Sequence, residues 1–328
     1  MNPLISILTP TWNRCAYLNR VWKGLNEQTY KNIEWIVCDD GSTDDTAATL
    51  RELGEKSRFP VTIITASVHI GKARMDNEAV KLAGGEFILW NDSDDYLLPL
   101  AIERLVGAWN SIPQTNRDEY VGIRALCASQ WGIASSPLPR QGVFDTTWND
   151  LAEKVKLNGD MLYFAKSGAL KDHPFPEVDF VVPESVVWTS IGDLKVRIWP
   201  EVLMIKEYQA ANCISFSGKM EYNRGRAYAM AVSVRNLRSY PSDLRTRLWR
   251  SLTFLRYCIH GELPMRDSMR LWGANSPPMA LLSLLPLAHL LALKDRLQGK
   301  VKQTHREFLA AEKDVQFTTT RFGQGARL

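Results

Sequence analysis

Along the first hundred residues, short apolar runs alternate with amphipathic stretches. Leu4–Leu8, Ile33–Cys38, Val61–Thr65 and Phe87–Trp90 are strand-length and rich in Ile, Val and aromatic residues. Their apolar positions run on without alternating, which predicts strands covered on both faces, as in a parallel α/β sheet. Between them, Tyr17–Leu25, Thr46–Leu53 and Ala73–Ala83 carry a helical period. In the third of these, Met75, Ala79, Leu82 and Ala83 fall on one face. Ser42-Thr43-Asp44 supplies capping chemistry before the second helix, and Gly84-Gly85 stops the third.

From about residue 120 the pattern changes. Tyr120–Ser129 and Met161–Phe164 read as strands around a Pro/Ser-rich loop, Glu184–Ile191 as a helix, and Lys195–Trp199 and Val202–Glu207 as strands. These predict a mixed extension of the same sheet, so that residues 1–215 form one catalytic-sized domain, with 1–110 and 111–215 as its halves. Residues 216–328 are helical, basic and aromatic in character. Their most apolar run, 279–293, is shorter than the ~20 residues needed to span a bilayer and contains Pro286 and His289. It reads either as a packed C-terminal helix or as an in-plane membrane helix, because Lys294, Arg296, Lys300 and Lys302 follow it.

Composition adds exclusions. The chain has 328 residues, 45% apolar and 23% charged, with a net charge of +4, which rules out a disordered tail or a disulfide-stapled miniprotein. Five cysteines without a Cys-x-x-Cys spacing predict reduced thiols in a cytoplasmic protein. No basic n-region precedes Leu4, so no secretory leader is expected. The small net charge hides an imbalance: from Lys219 onward there are 19 basic and 8 acidic residues, an excess of +11. The helical spacing of these arginines, without a nucleic-acid-reading module, argues against nucleic acid and for an anionic membrane surface. A face that folds back on the core or makes a homo-oligomer is the other reading.

Chemistry concentrates at strand ends, where open parallel sheets bind ligands. The first strand ends in Thr9-Pro10-Thr11-Trp12-Asn13-Arg14, the second in Asp39-Asp40-Gly41-Ser42, and the fourth in Asn91-Asp92-Ser93-Asp94-Asp95. In extended chain Asp92 and Asp94 share a face. Carboxylates that close together repel unless a cation lies between them, and hard oxygen ligands completed by substrate phosphates suit Mg²⁺ or Mn²⁺. The alternative is a solvated turn, with Asp95 capping a following helix. Asp39-Asp40-Gly41 is either turn chemistry or a carboxylate that accepts the N3–H of a uracil-type base. Arg74, with Lys72 beside it, stands at a helix start where phosphates bind, or else pairs with Glu78. Phosphate-loop, Gly-x-Gly-x-x-Gly, His-Glu-x-x-His and Gly-x-Ser-x-Gly motifs are absent from the sequence.

Taken in order, Ile5–Arg14, Glu34–Asp44, Gly71–Asn77 and Gly84–Pro99 resemble the motifs of glycosyltransferase family 2, whose fold is GT-A. Met75-Asp76-Asn77 departs from the pattern, since Asn more often follows Ala-Arg directly. The resemblance implies a nucleotide-sugar donor, most readily a UDP-sugar, and inversion at the anomeric centre. It also implies roles: Pro10, Thr11 and Asp40 around the base, Asp92 on the ribose, Arg74 near the diphosphate, Asn13 also at the donor, and Asp94 on Mg²⁺ or Mn²⁺. Asp39 and Asp95 are further candidates.

An inverting transfer needs a general base on the acceptor hydroxyl. Phe175-Pro176-Glu177 followed by Pro183-Glu184-Ser185-Val186-Val187-Trp188 resembles a subgroup of the family and points to Glu184, although Ser185 replaces the second acid. Asp179 and Glu177 compete for that role, Asp160 could line an acceptor pocket, and a helix-start carboxylate without catalytic work is the plain alternative. The expected acceptor is a glycan or a lipid-linked sugar at the cytoplasmic face of the membrane. A nucleotidyltransferase and a non-catalytic sugar-nucleotide binder are the competing classes.

Overall fold

Strand β1 (Ile5–Thr11), flanked on both sides by other strands, is buried at every position. β2 (Ile33–Asp39) and β4 (Phe87–Trp90) pair with it in parallel, and β3 (Val61–Ala66) pairs in parallel with β2. The helices α1 (Cys15–Asn26), α2 (Thr46–Lys56) and α3 (Lys72–Leu82) are the crossovers. The resulting order β3-β2-β1-β4 reverses direction of growth at β1, which puts a topological switch point between β1 and β4. This computed structural model describes residues 2–135, 138, 141–151, 159–208, 222–236, 244–273, 279–301 and 315–323; Cys213 and Lys302 lie outside them.

After β4 come a two-residue strand β5 (Tyr96–Leu97) and helix α4 (Ala101–Asn110). The sheet then widens with β6 (Tyr120–Ser129), β7 (Phe144–Thr147), a single turn α5 (Trp148–Asp150), β8 (Met161–Lys166), helix α6 (Ser167–Asp172) and β9 (Lys195–Lys206). β8 runs antiparallel to β4 and β6, whereas β9 runs parallel to β6. The two segments expected as separate strands at 195–207 are one strand, with register shifts opposite Pro200-Glu201 accommodating the proline. The sheet core includes Ile5, Ile7, Trp35, Val37, Phe87, Leu89 and Phe164.

The chain divides into two compact units that do not follow the linear boundary at 215. The first comprises residues 1–174, 191–213 and 312–328, and the second 175–190 and 214–311. The reason is topological. The C-terminal region, expected to be helical throughout, ends in strand β10 (Phe317–Phe322), which pairs antiparallel with β3 as a sheet edge.

The second unit contains α7 (Ser185–Ile191), α8 (Asn223–Asn236), α9 (Leu244–His260), α10 (Met265–Trp272), α11 (Met279–Leu282) and α12 (Leu285–Leu297). Its core gathers Ala227, Ala231, Phe254, Leu255, Trp272, Leu281 and Ala288. Gly225 permits α8 to meet Val181, whose carbonyl oxygen would stand 1.8 Å from any Cβ there. Pro286 does not interrupt a helix; it sits in the first turn of α12, where its missing N–H has no intrahelical partner to lose. No helix among the described residues is long and apolar enough to cross a membrane.

Candidate active site

The loops after β1 and β2 are tied together before they meet any ligand. Asn13, with φ of 51°, donates its backbone N–H to Ser42 Oγ (2.8 Å), and its side-chain oxygen accepts the Thr43 N–H (2.8 Å). Asp44 accepts the N–H of Thr46 at the start of α2 and of Cys15 at the start of α1, so one carboxylate braces two helix starts. Asn13, expected at the donor, thus spends its side-chain oxygen on loop geometry.

Adjacent aspartates at the end of β2 differ in what they touch. Asp40 accepts backbone N–H groups from Ile70 (2.6 Å) and Gly71 (2.8 Å) and lies 2.9 Å from His69 Nδ1. Both of its oxygens are therefore engaged in fixing the loop that opens α3. Asp39 accepts the Ser42 N–H with Oδ1, and its buried Oδ2 has no hydrogen-bond partner among the described residues. Burial, reinforced by neighbouring Asp40 and Asp44, raises its pKa despite the Ser42 bonds. Gly41, at φ +65°, lets this turn pass Val68, whose backbone would stand 2.6 Å from a Cβ.

Two further strand ends carry buried, unpartnered polar atoms: Thr11 Oγ1 at the end of β1, and both side-chain polar atoms of Asn91 just after β4. Buried polar groups are normally satisfied. Orphans at three adjacent strand ends mark a surface prepared for a polar ligand.

The acidic run after β4 does not stay extended. The Asp95 N–H bonds the Asp92 carbonyl at 3.0 Å, closing a turn that directs Asp94 to one cation and Asp92 and Asp95 to another. Asp94 accepts from Arg14 Nη1 at 2.6 Å. Asp92 lies 3.5 Å from Lys72 Nζ and 3.6 Å from Lys206 Nζ. Asp95 lies 2.8 Å from Lys206. Asp92 and Asp94 therefore do not share the face of an extended strand, and Asp95 does not cap a helix, since β5 intervenes before α4. Burial and the nearby Asp92 and Asp94 push Asp95 up to about 7 in spite of Lys206. Lys206 itself is held well above its ordinary value because Asp95 and Asp92 outweigh its burial.

Lys72 also reaches Asp76 (3.0 Å), whose other oxygen faces Trp90 Nε1 (3.4 Å). It thus bridges α3 and the end of β4. The buried face of α3 is centred on Met75, Asp76, Ala79 and Val80, which leaves Leu82, expected in the apolar stripe, exposed. Arg74 stands in the first turn of α3, half-buried. Pro10 lies within β1, paired in register with Cys38.

Asp160 joins the same rim from β8. The Tyr208 hydroxyl donates to its Oδ2 (2.9 Å) and accepts from Ser135 Oγ (2.9 Å). Burial and that carboxylate push the phenol to about 12. Arg14, Lys206 and Tyr208 were given no role from sequence. Lys206 and Tyr208 follow the apolar part of a predicted strand, so the strand-end rule covers them too. Glu184 and Asp179 belong to the second unit: Glu184 is exposed immediately before α7, and Asp179 is exposed five residues earlier.

Among the described residues no group of three or more His, Cys, Asp or Glu could hold a metal ion unaided. Asp94 uses one oxygen on Arg14, which leaves a hard oxygen ligand for an ion completed by donor phosphates. That donor set fits Mg²⁺ or Mn²⁺.

A parallel core with this strand order, extended by antiparallel strands and carrying carboxylates after β2 and β4, has the architecture of GT-A transferases. Residues 6–124 match the family profile of Glycosyl transferase family 2. A GalNAc(5)-diNAcBac-PP-undecaprenol beta-1,3-glucosyltransferase of Campylobacter jejuni is 25% identical over 194 residues, which is 58% of this chain and 60% of that protein. Chondroitin synthase of Escherichia coli is 38% identical over 101 residues, 31% of this chain and 14% of that one. The chain thus covers less than two thirds of either relative. The solved structure of S. aureus TarS 1-349 in complex with UDP-GlcNAc superposes with a TM-score of 0.62 at 14% identity, over 90% of this chain and 92% of that one, which shows a shared fold. Over residues 6–124 the chain is thus similar to glycosyltransferase family 2.

Proposed function

We propose that this protein transfers a sugar, with inversion, from a UDP-sugar to a hydroxyl of a glycan or lipid-linked acceptor. The observation that carries the reading is the row of buried, unpartnered polar atoms on Thr11, Asp39 and Asn91 beside the Asp92–Asp95 carboxylates. Relatives that act on lipid-linked or polysaccharide chains, and the UDP-GlcNAc bound by TarS, support the choice of donor and acceptor.

In this reading Asp39 recognises the base, because its Oδ2 is free while Asp40 is engaged by Ile70, Gly71 and His69. Thr11 and Pro10 flank the base and Asp92 takes the ribose. Arg74, in the first turn of α3, faces the diphosphate with the helix N-terminus. Asp94 would hold Mg²⁺ or Mn²⁺, and the ion when bound supplies charge neutralisation for the departing diphosphate. Arg14 would keep Asp94 oriented. Asp160, fixed by Tyr208, lines the acceptor side.

Glu184 acts as the base. It accepts the acceptor hydroxyl proton while that oxygen bonds the anomeric carbon from the face opposite the nucleotide. The bond to the diphosphate oxygen breaks with its electron pair, and UDP leaves. One displacement gives one inversion.

A thermal-shift screen of nucleotide sugars with Mn²⁺, followed by analysis of released nucleotide, tests the reading. Stabilisation by UDP-sugars and release of UDP with an acceptor are expected, since bound donor stabilises by mass action. Release of pyrophosphate, or turnover unaffected by EDTA, would refute it.

A further inference from the structure

Helix α12 is apolar on two opposite faces, and only one of them has a partner. Its inner face presents Leu284, Leu285, Ala288, Leu291 and Ala292 to the core of the second unit. Asp295 continues that face and is gripped there by Arg256 and by His260 at 3.1 Å. The outer face carries Leu287 (47% exposed), Leu290 (65%), Leu293 (54%) and Leu297 (80%). At 100° per residue these four lie within one third of the helix circumference, opposite the buried stripe. Scattered exposed leucines need no explanation, but four in one stripe on one helix do.

The charges beside that stripe identify what covers it. The exposed polar residues from Ser283 to Lys300 are Ser283, His289, Lys294, Arg296, Gln298 and Lys300, with no exposed acid among them. The one acid of the segment, Asp295, is buried. A second copy docked across the same face would oppose cations to cations. A bilayer surface rich in anionic lipid accepts both the leucines and the cations. In the same unit, the first two turns of α9 expose Leu244, Leu248 and Trp249 among Arg245 and Arg247. That composition of aromatic, leucine and arginine suits a membrane interface.

We infer that the outer face of α12 is a membrane-docking surface, which lies in the plane of an anionic bilayer with Leu287, Leu290, Leu293 and Leu297 inserted and Lys294, Arg296 and Lys300 at the headgroups. Its use in catalysis rests on the lipid-linked acceptor proposed above; the docking itself does not.

Co-sedimentation of the full chain with phosphatidylglycerol/phosphatidylcholine vesicles tests it, alongside pure phosphatidylcholine vesicles and the triple variant Leu290→Ser/Leu293→Ser/Leu297→Ser. Because those side chains are exposed, folding should persist, as circular dichroism can check. Binding to the anionic vesicles, weakened at least about tenfold in the triple variant and in 0.5 M salt, is expected. No binding by the wild type, equal binding by the variant, or a solution dimer that the variant dissolves would overturn the inference. UDP release in vesicle-free solution is measured on both proteins. Lost docking with intact turnover, or the reverse, separates this inference from the proposed reaction.

Discussion

At the rim of the sheet, Lys206 is shared by Asp92 and Asp95 and Arg14 holds Asp94, while Thr11, Asp39 and Asn91 keep buried atoms without partners. In the second unit, the buried carboxylate of Asp295 is satisfied by Arg256 and His260, and arginines and lysines stand on the outside beside exposed leucines. The rim thus gathers unmet hydrogen-bonding capacity at adjacent strand ends; the other region sets apolar and cationic surface outside. Unmet polar capacity in a buried cleft calls for a small polar ligand, whereas unmet apolar surface with one sign of charge calls for an interface.

The comparison breaks most visibly at Glu184. Glu184→Gln should lower transfer by ~10²–10⁴-fold while donor binding persists, as read by single-turnover transfer beside UDP-sugar titration. Near-normal transfer would move the base to Asp179 or Glu177. Asp94→Ala should abolish the metal-stimulated part of turnover; activity equal to wild type with and without EDTA would remove Asp94 from the site.

In the second unit, Asp295→Asn should cost about 3 kcal/mol, the scale for removing one partner of a buried ion pair. Hydrogen exchange over α9 and α12 should report it, leaving β1–β4 protected. The same triad sets a pH dependence. Burial lowers the pKa of His260 below its ordinary 6.5, against the pull of Asp295. Burial alone would raise Asp295, but its bonds to Arg256 and His260 prevail and lower it below 3.8. Both groups bind protons more readily when unfolded. Their contribution is therefore full above about pH 6.5 and falls away as pH drops through the folded values. Melting of α9 and α12 should shift down in acid, first from His260 and then from Asp295, and the second step should vanish in Asp295→Asn.

The four parallel-core strands and their crossover helices were legible because each is a continuous apolar run or a helical stripe bounded by turn residues. So was the rim, since strand ends in an open sheet face one side. Three features escaped. The strand β10 joins the sheet from the far end of the chain, and no local pattern announces a partner about 250 residues away. The acidic run reads as extended chain, whereas the Asp95–Asp92 backbone bond turns it. Asp39 and Asp40 cannot be ranked from sequence, because their difference lies in which amides of the Ile70–Gly71 loop come near.

That ranking gives the smallest and most discriminating effect. Asp39→Asn should weaken uridine nucleotides by about 10-fold or more, the worth of a hydrogen bond to a charged group, with little change in melting temperature. Asp40→Asn should instead lower stability, because it disturbs the loop that opens α3.

The central claim is that the strand-end rim binds a uridine diphosphate group. Calorimetric titration of UDP, CDP and GDP with Mn²⁺ into the wild type and Asp39→Asn tests it most directly. Saturable binding that favours UDP in the wild type, with that preference lost in Asp39→Asn, is the predicted result. No binding of UDP, or an unchanged preference in the variant, would contradict it.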